Sequence, residues 1–181
     1  MSPQSWCDYT ISYKEAGDLL MQTALKTGRQ NHLIFPIIFL YRHYIELILK
    51  EIIVNNWKYL GISKPFPSIH DVSKLWKICR ENLQEVDKLV DPQYAKSEDY
   101  EREVIKSYDA LGFDICKFAE VDPNSQYFRY PVDSKGNPLI MDSKQLAKLL
   151  RELPELISRI SYQLDGISTG IYSIISNGHI S

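Results

Sequence analysis

Three ionisable side chains recur every four residues in the most apolar part of the sequence. Arg42, Glu46 and Lys50 lie there, with His43 beside them. Because four residues are close to one helical turn, these groups fall on one polar ribbon of the predicted helix, with charges alternating along its axis. The other positions are almost all apolar, which is typical of a helix at the centre of a bundle. The ribbon is therefore either a half-exposed ion-pair ladder or a buried network lining a cleft.

Two further groups of polar residues could converge on this ribbon. His70 and Asp71 open the predicted third helix, where backbone N–H groups favour an anion, although Asp71 can equally be a simple capping acid. Arg129 and Tyr130 belong to an aromatic run further along the chain. Arg129 could reach an acid such as Glu46 or stack on a base, and the alternative is that the aromatic run only pins this segment to the helices.

The elements that must position these residues are helices. Apolar residues at three- and four-residue steps predict helices over about 12–26, 35–58, 68–89, 98–119 and 143–175. Ser12 with Glu15, and Ser68 with Asp71, have the spacing of a capping box at the first and third helix starts. Gly28 is a plausible end for the first helix. Pro154 is expected to kink or split the last one.

The sequence predicts one all-α domain over residues 1–181. The chain has 181 residues, of which 44% are hydrophobic, and this length suits a single core. We expect a four- to five-helix up-and-down bundle. Residues 122–142 contain turn-forming dipeptides and an alternating aromatic run, which predicts an ordered β-hairpin-like insert before the last helix.

Composition excludes several classes of function and favours a cytoplasmic protein. The formal net charge is −2, which is not typical of a protein that binds duplex DNA sequence-specifically or coats it. The start of the chain has no signal-peptide pattern, and the most apolar stretch is interrupted by Arg42, His43 and Glu46, so no membrane span is expected. No phosphate-binding loop, dinucleotide fingerprint or metal-ligand spacing is present, so neither a cofactor nor a metal is expected.

Short blocks of the sequence resemble a known family. Tyr41–Lys50 (YRHYIELILK), His70–Trp76 (HDVSKLW), Asp122–Ser125 and Phe128–Pro131 resemble the HEPN-like helical proteins of prokaryotes (the higher eukaryotes and prokaryotes nucleotide-binding superfamily). The resemblance implies a bundle of four or five helices that often dimerises. It also implies a place in a toxin–antitoxin or antiviral defence system, where many members cleave RNA without a metal and others bind RNA or a partner.

The chain departs from the ribonuclease members of this family at one place. Arg42 and His43 match the opening of their motif, but Leu47, Ile48 and Leu49 occupy the positions where its terminal histidine belongs. Cleavage of RNA without a metal needs a positioned general acid and base, which an arginine alone does not supply at neutral pH. Catalysis by Arg42 and His43 is therefore expected only if the chain is a divergent ribonuclease.

The resulting expectation is a cytoplasmic HEPN-like homodimer that binds RNA, a nucleotide or an operon-encoded partner protein in a cleft. The alternatives are a divergent metal-free endoribonuclease and a non-catalytic structural or interaction protein. The expected binding residues beside Arg42 and His43 are Glu46, Lys50, His70, Asp71, Arg129 and Tyr130.

Overall fold

A computed structural model describes residues 6–28, 30–121, 135–138 and 143–176. Its α-helices are α1 (Trp6–Thr27), α2 (Gln30–Tyr59), α3 (Val72–Val90), α4 (Glu98–Tyr100), α5 (Lys106–Ala119) and α6 (Ser143–Ser176). A short 3₁₀ turn, Tyr94–Lys96, precedes α4, and a π-helical turn, Glu101–Ile105, joins α4 to α5. The described residues contain helices and no β-strand, so the predicted all-α class is confirmed.

The centre of the fold is α2. Helices α1, α3 and α6 all pack against it, while α5 packs against α3 and α6. Among its apolar side chains Ile45, Leu49 and Ile52 are completely buried. An apolar helix surrounded in this way is stabilised by burial on several faces at once, as its sequence predicts.

Two glycines allow neighbouring helices to approach closely. A Cβ atom on Gly17 of α1 would lie 2.9 Å from the ring of Tyr41 on α2, and one on Gly112 of α5 would lie 2.6 Å from Nε1 of Trp76 on α3. Both distances are too short for carbon, so only glycine fits these positions without a shift of the aromatic ring. The α1–α2 and α3–α5 packing therefore depends on these two residues.

The predicted starts of the first three helices are wrong. Helix α1 begins at Trp6, and Ser12 lies inside it, where its hydroxyl donates a hydrogen bond to the carbonyl oxygen of Asp8 at 2.7 Å. Helix α2 is already helical at Gln30, so Pro36 lies within the helix and not at its start. Helix α3 begins only after Asp71, so the capping box that was expected to begin at Ser68 is not formed.

Predictions at one helix end and at one proline have different outcomes. Gly28 has a φ of 68°, as expected of a glycine that ends a helix. Helix α6 continues through Pro154 as one helix, so the split expected there is absent. The predicted insert lies outside the described residues except for 135–138, so the hairpin expected there stays a prediction.

One described segment, His32–Tyr59, passes a length and composition test for a membrane span, with a mean hydropathy of 1.4 over its most apolar window. The protein itself buries 56% of that window. Because the core helix of a water-soluble bundle passes the same test, this finding is weak evidence for a membrane span.

Candidate functional site

The polar ribbon of α2 is buried. Arg42, Glu46 and Lys50 are 6%, 7% and 6% exposed. The Nζ atom of Lys50 donates to Oε1 of Glu46 at 2.9 Å, and Nη1 of Arg42 lies 3.6 Å from Oε2 of the same carboxylate. The interpretation as a half-exposed ladder is therefore wrong, and the ribbon is a buried charge network centred on Glu46.

This network holds His70 at two points. Nδ1 of the His70 ring lies 2.8 Å from Oε1 of Glu46, and Nη2 of Arg42 donates to the backbone carbonyl oxygen of His70 at 2.9 Å. The His70 side chain is nevertheless 71% exposed. When Nδ1 carries the proton and donates it to the carboxylate, the neutral ring has Nε2 as an acceptor. The buried ribbon thus fixes an exposed imidazole in one orientation.

Glu46 is ionised in this environment. Burial by itself raises its pKa, but the hydrogen bonds and charges of Lys50 and His70 outweigh burial and bring the pKa below the ordinary value of 4.5. Lys50 lies under the ring of Phe66, with Nζ 5.5 Å from the ring centroid. A cation–π contact of this kind stabilises the ammonium group where water is scarce.

The other predicted site residues do not all join this network. The carboxylate of Asp71 accepts from the backbone N–H groups of Ser73 and Lys74, at 3.0 and 3.1 Å, so it is the capping acid of α3. Arg129 and Tyr130 lie outside the described residues.

His43 is on the ribbon's helix but lies among aromatic side chains. Its ring is 4.3 Å from that of Tyr13 on α1 in an edge-on arrangement, and 6.1 Å from that of Phe39 in a stacked one. The structure therefore brings Arg42, Glu46, Lys50 and His70 together and groups His43 with the packing between α1 and α2.

Sequence reasoning missed the local excess of lysine in the part of the chain that contains His70. We call residues 58–77 the lysine-rich segment. It contains four lysines and one acidic residue, Asp71, in a chain with a net charge of −2. All four lysines, which are Lys58, Lys64, Lys74 and Lys77, are exposed. A charge count over a window of 20 residues would have revealed this segment.

The aromatic side chains at the same end of the molecule were also missed. Phe66, from the loop before α3, lies against Trp6 at the start of α1, with ring centroids 5.2 Å apart. Both rings are exposed. No sequence pattern predicts this contact, because it depends on the path of the loop over the helices.

Other buried polar groups connect helices to one another. The carboxylate of Asp87 on α3 accepts hydrogen bonds from the hydroxyls of Tyr100 and Tyr108, at 2.9 and 3.0 Å, and burial raises its pKa. Asp114 of α5 forms a double hydrogen bond with the guanidinium of Arg159 on α6. Each of these groups has its partner within the protein, so we assign them to stability.

The residues that the structure describes contain no cluster of three or more side chains suited to a metal ion. No protein-family model, curated protein or solved structure matches this chain.

Proposed function

We propose that this protein binds RNA through the surface around His70. The observation that carries the proposal is the double attachment of His70, whose ring stays exposed while Glu46 and Arg42 fix its position from within the bundle. An imidazole prepared in this way can contact a ligand without first losing conformational freedom. An exposed side chain that is held in place from within the protein is typical of a binding surface, whereas most exposed polar side chains are free to move.

The charge of the surrounding surface favours a polyanion as the ligand. Four exposed lysines lie in the lysine-rich segment against one aspartate, Asp71, which caps α3 and has Oδ2 3.5 Å from Nζ of Lys74. Lysine contacts to phosphate supply most of the affinity of proteins for nucleic acids, and a local patch is sufficient even when the whole chain is slightly acidic. His70 itself belongs to this segment of the chain.

Replacement of His70 tests the proposal. We expect His70→Gln to weaken the binding of a labelled RNA by about tenfold to a hundredfold, since one hydrogen bond to a charged phosphate contributes about 1.5–3 kcal/mol. Fluorescence anisotropy measures the affinity, and His32→Gln, at an exposed position of α2, is the control. Equal RNA affinity of both variants and the wild type would exclude His70 from the binding surface.

A second candidate function, RNA cleavage without a metal, is favoured by the Glu46–His70 pair alone. With its Nδ1 on the carboxylate of Glu46, the His70 ring has Nε2 free to act as a general base. His70 could in this way replace the terminal histidine of the family motif, which α2 lacks. The test is incubation of labelled RNA with excess protein in a chelator. Cleavage that His70→Ala abolishes would support this function, and intact RNA would contradict it.

Several expectations from the sequence remain proposals. They are the HEPN-like family, an up-and-down arrangement of the bundle, the hairpin at 122–142, a cytoplasmic location, a role in bacterial defence or toxin–antitoxin function, and an operon-encoded partner or nucleotide as the ligand. The homodimer belongs with them: a Cβ atom on Gly166 or Gly170 of α6 would point into open space, with no contact within 4 Å from another element in the part of the chain that the structure describes. A monomer mass in analytical ultracentrifugation would contradict the dimer.

A further inference from the structure

Aromatic rings line the seam between α1 and α2 and extend to the loop before α3. We call this set the aromatic row; it consists of Phe66, Trp6, Tyr9, Tyr13, His43 and Phe39. The rings form two close groups: the centroids of Trp6 and Phe66 are 5.2 Å apart, and those of Tyr9 and Tyr13 are 5.7 Å apart. Trp6 and Tyr9 join the two groups because they are three residues apart on one face of α1. The row continues to α2, where the His43 ring lies 4.3 Å from Tyr13 and 6.1 Å from Phe39.

Much of this aromatic surface faces the solvent. Trp6, Tyr9 and Phe66 are 39%, 50% and 51% exposed. Trp6 is also held in place, because its indole Nε1 donates to the carbonyl oxygen of Leu47 on α2 at 3.2 Å. Fixed and exposed aromatic rings that touch one another are unusual on a surface that contacts only water.

The row meets the lysine-rich segment at Phe66. Phe66 is part of both, and the exposed Lys64 lies two residues before it in the chain. Aromatic faces next to a positively charged groove are the combination by which proteins bind single-stranded nucleic acid, with bases on the rings and phosphates on the cations. This charge complementarity decides for a nucleic acid over an apolar protein segment.

We infer that the aromatic row is a stacking platform for the bases of single-stranded RNA. This inference rests on the proposed RNA binding and names the form of RNA that the surface accepts. In a duplex the base faces are covered by their neighbours, whereas a single strand can place its bases on exposed rings. Because every base has such a face, the platform should bind different sequences with similar affinity.

The test compares RNA with a ligand that has phosphates and no bases. The probes are an eight-nucleotide oligoadenylate and an inorganic polyphosphate of similar charge. Trp6→Leu and Tyr9→Leu should each lower the affinity for the oligoadenylate about tenfold, in line with the usual loss of a base-stacking ring. They should change the affinity for polyphosphate by less than about twofold, because the lysines are untouched.

Controls separate stacking from general damage. Phe113→Leu and Tyr162→Leu remove rings that are exposed elsewhere, on α5 and α6, and should leave the oligoadenylate affinity unchanged. Trp6→Phe keeps an aromatic ring at position 6 and should retain most of the wild-type affinity for the oligoadenylate. Circular dichroism confirms that each variant is folded, and if Trp6→Leu does not fold, Trp6→Phe and Tyr9→Leu carry the comparison.

The fluorescence of Trp6 provides a second readout. The other two tryptophans, Trp57 and Trp76, are buried, so a base that stacks on the row should quench the emission of Trp6 and little else. Oligoadenylate binding without quenching, with Tyr9→Leu at wild-type affinity, would overturn the inference and leave the proposed function standing. Equal affinity for a duplex RNA would overturn it too. No binding of any RNA would contradict the proposed function itself.

Discussion

Glu46 is the residue on which the buried network depends. Its carboxylate is contacted by Arg42, Lys50 and His70. The sequence predicted that Arg42, Glu46 and Lys50 share a helix face, because their spacing determines it. It also suggested that His70 could reach them, but it gave no reason for Glu46 rather than another acid, since that contact depends on how the loop before α3 folds back.

Removal of the Glu46 charge should destabilise the protein strongly. Glu46→Gln leaves the buried cations Arg42 and Lys50 without their central anion, and breaking a buried ion pair from one side costs about 3–5 kcal/mol. Glu85→Gln removes a charge from an exposed pair with Lys88 and should cost less than about 1 kcal/mol. Urea unfolding of both variants measures the difference, and similar losses would contradict a buried network.

The same variant should show a defined dependence on pH. The pKa of Glu46 in the folded protein lies below its ordinary value of 4.5, so the folded state binds fewer protons there than the unfolded state. Its contribution to stability is therefore complete at pH values above 4.5 and is lost as the pH falls through the lower folded pKa.

The unfolding free energy of the wild type minus that of Glu46→Gln should thus be larger at about pH 6 than at about pH 4, and it should shrink further at more acidic pH. Urea unfolding across this range provides the measurement. A difference that grows towards low pH would show that the carboxylate is protonated in the folded protein.

At the scale of elements, apolar periodicity located the helices well and their starts poorly. Ser12 and Glu15 have the spacing of a capping box, yet both lie inside α1, which begins at Trp6. The pattern was misleading because serine and glutamate also occur at this spacing within helices. Asp71 was found as a capping acid but with the wrong partner residue, since Ser68 lies in the preceding loop. Helix interiors follow from periodicity, whereas ends depend on local hydrogen bonds that several residues can supply.

Close packing between elements predicts opposite effects for two glycine substitutions. Gly112→Ala would place a Cβ atom against the indole of Trp76, so we expect a loss of about 1–3 kcal/mol despite the better helix propensity of alanine. The Cβ atom of Gly166→Ala would point into open space, so this substitution should raise the free energy of unfolding by about 0.5–1 kcal/mol. Thermal or urea unfolding compares them, and a stabilising Gly112→Ala would show that α3 and α5 are not in close contact.

At the scale of the whole molecule, charge is unevenly distributed. The net charge of −2 predicts no general basic surface, and because it is a sum over the whole chain it does not locate the lysine-rich segment. That segment becomes informative only when the fold shows Glu46 and Arg42 holding His70 within it. The aromatic row has the same origin, because it combines residues from two helices and a loop that are distant in sequence.

The most direct test of RNA binding at this surface is the salt dependence of the affinity. Each lysine–phosphate contact with a single strand contributes about 0.7 to the slope of log affinity against log salt concentration. The double variant Lys64→Ala/Lys74→Ala should therefore have a slope about 1.4 smaller in magnitude than the wild type, while Lys88→Ala/Lys117→Ala keeps the wild-type slope. Equal slopes for the wild type and both double variants would contradict RNA binding by the lysine-rich segment.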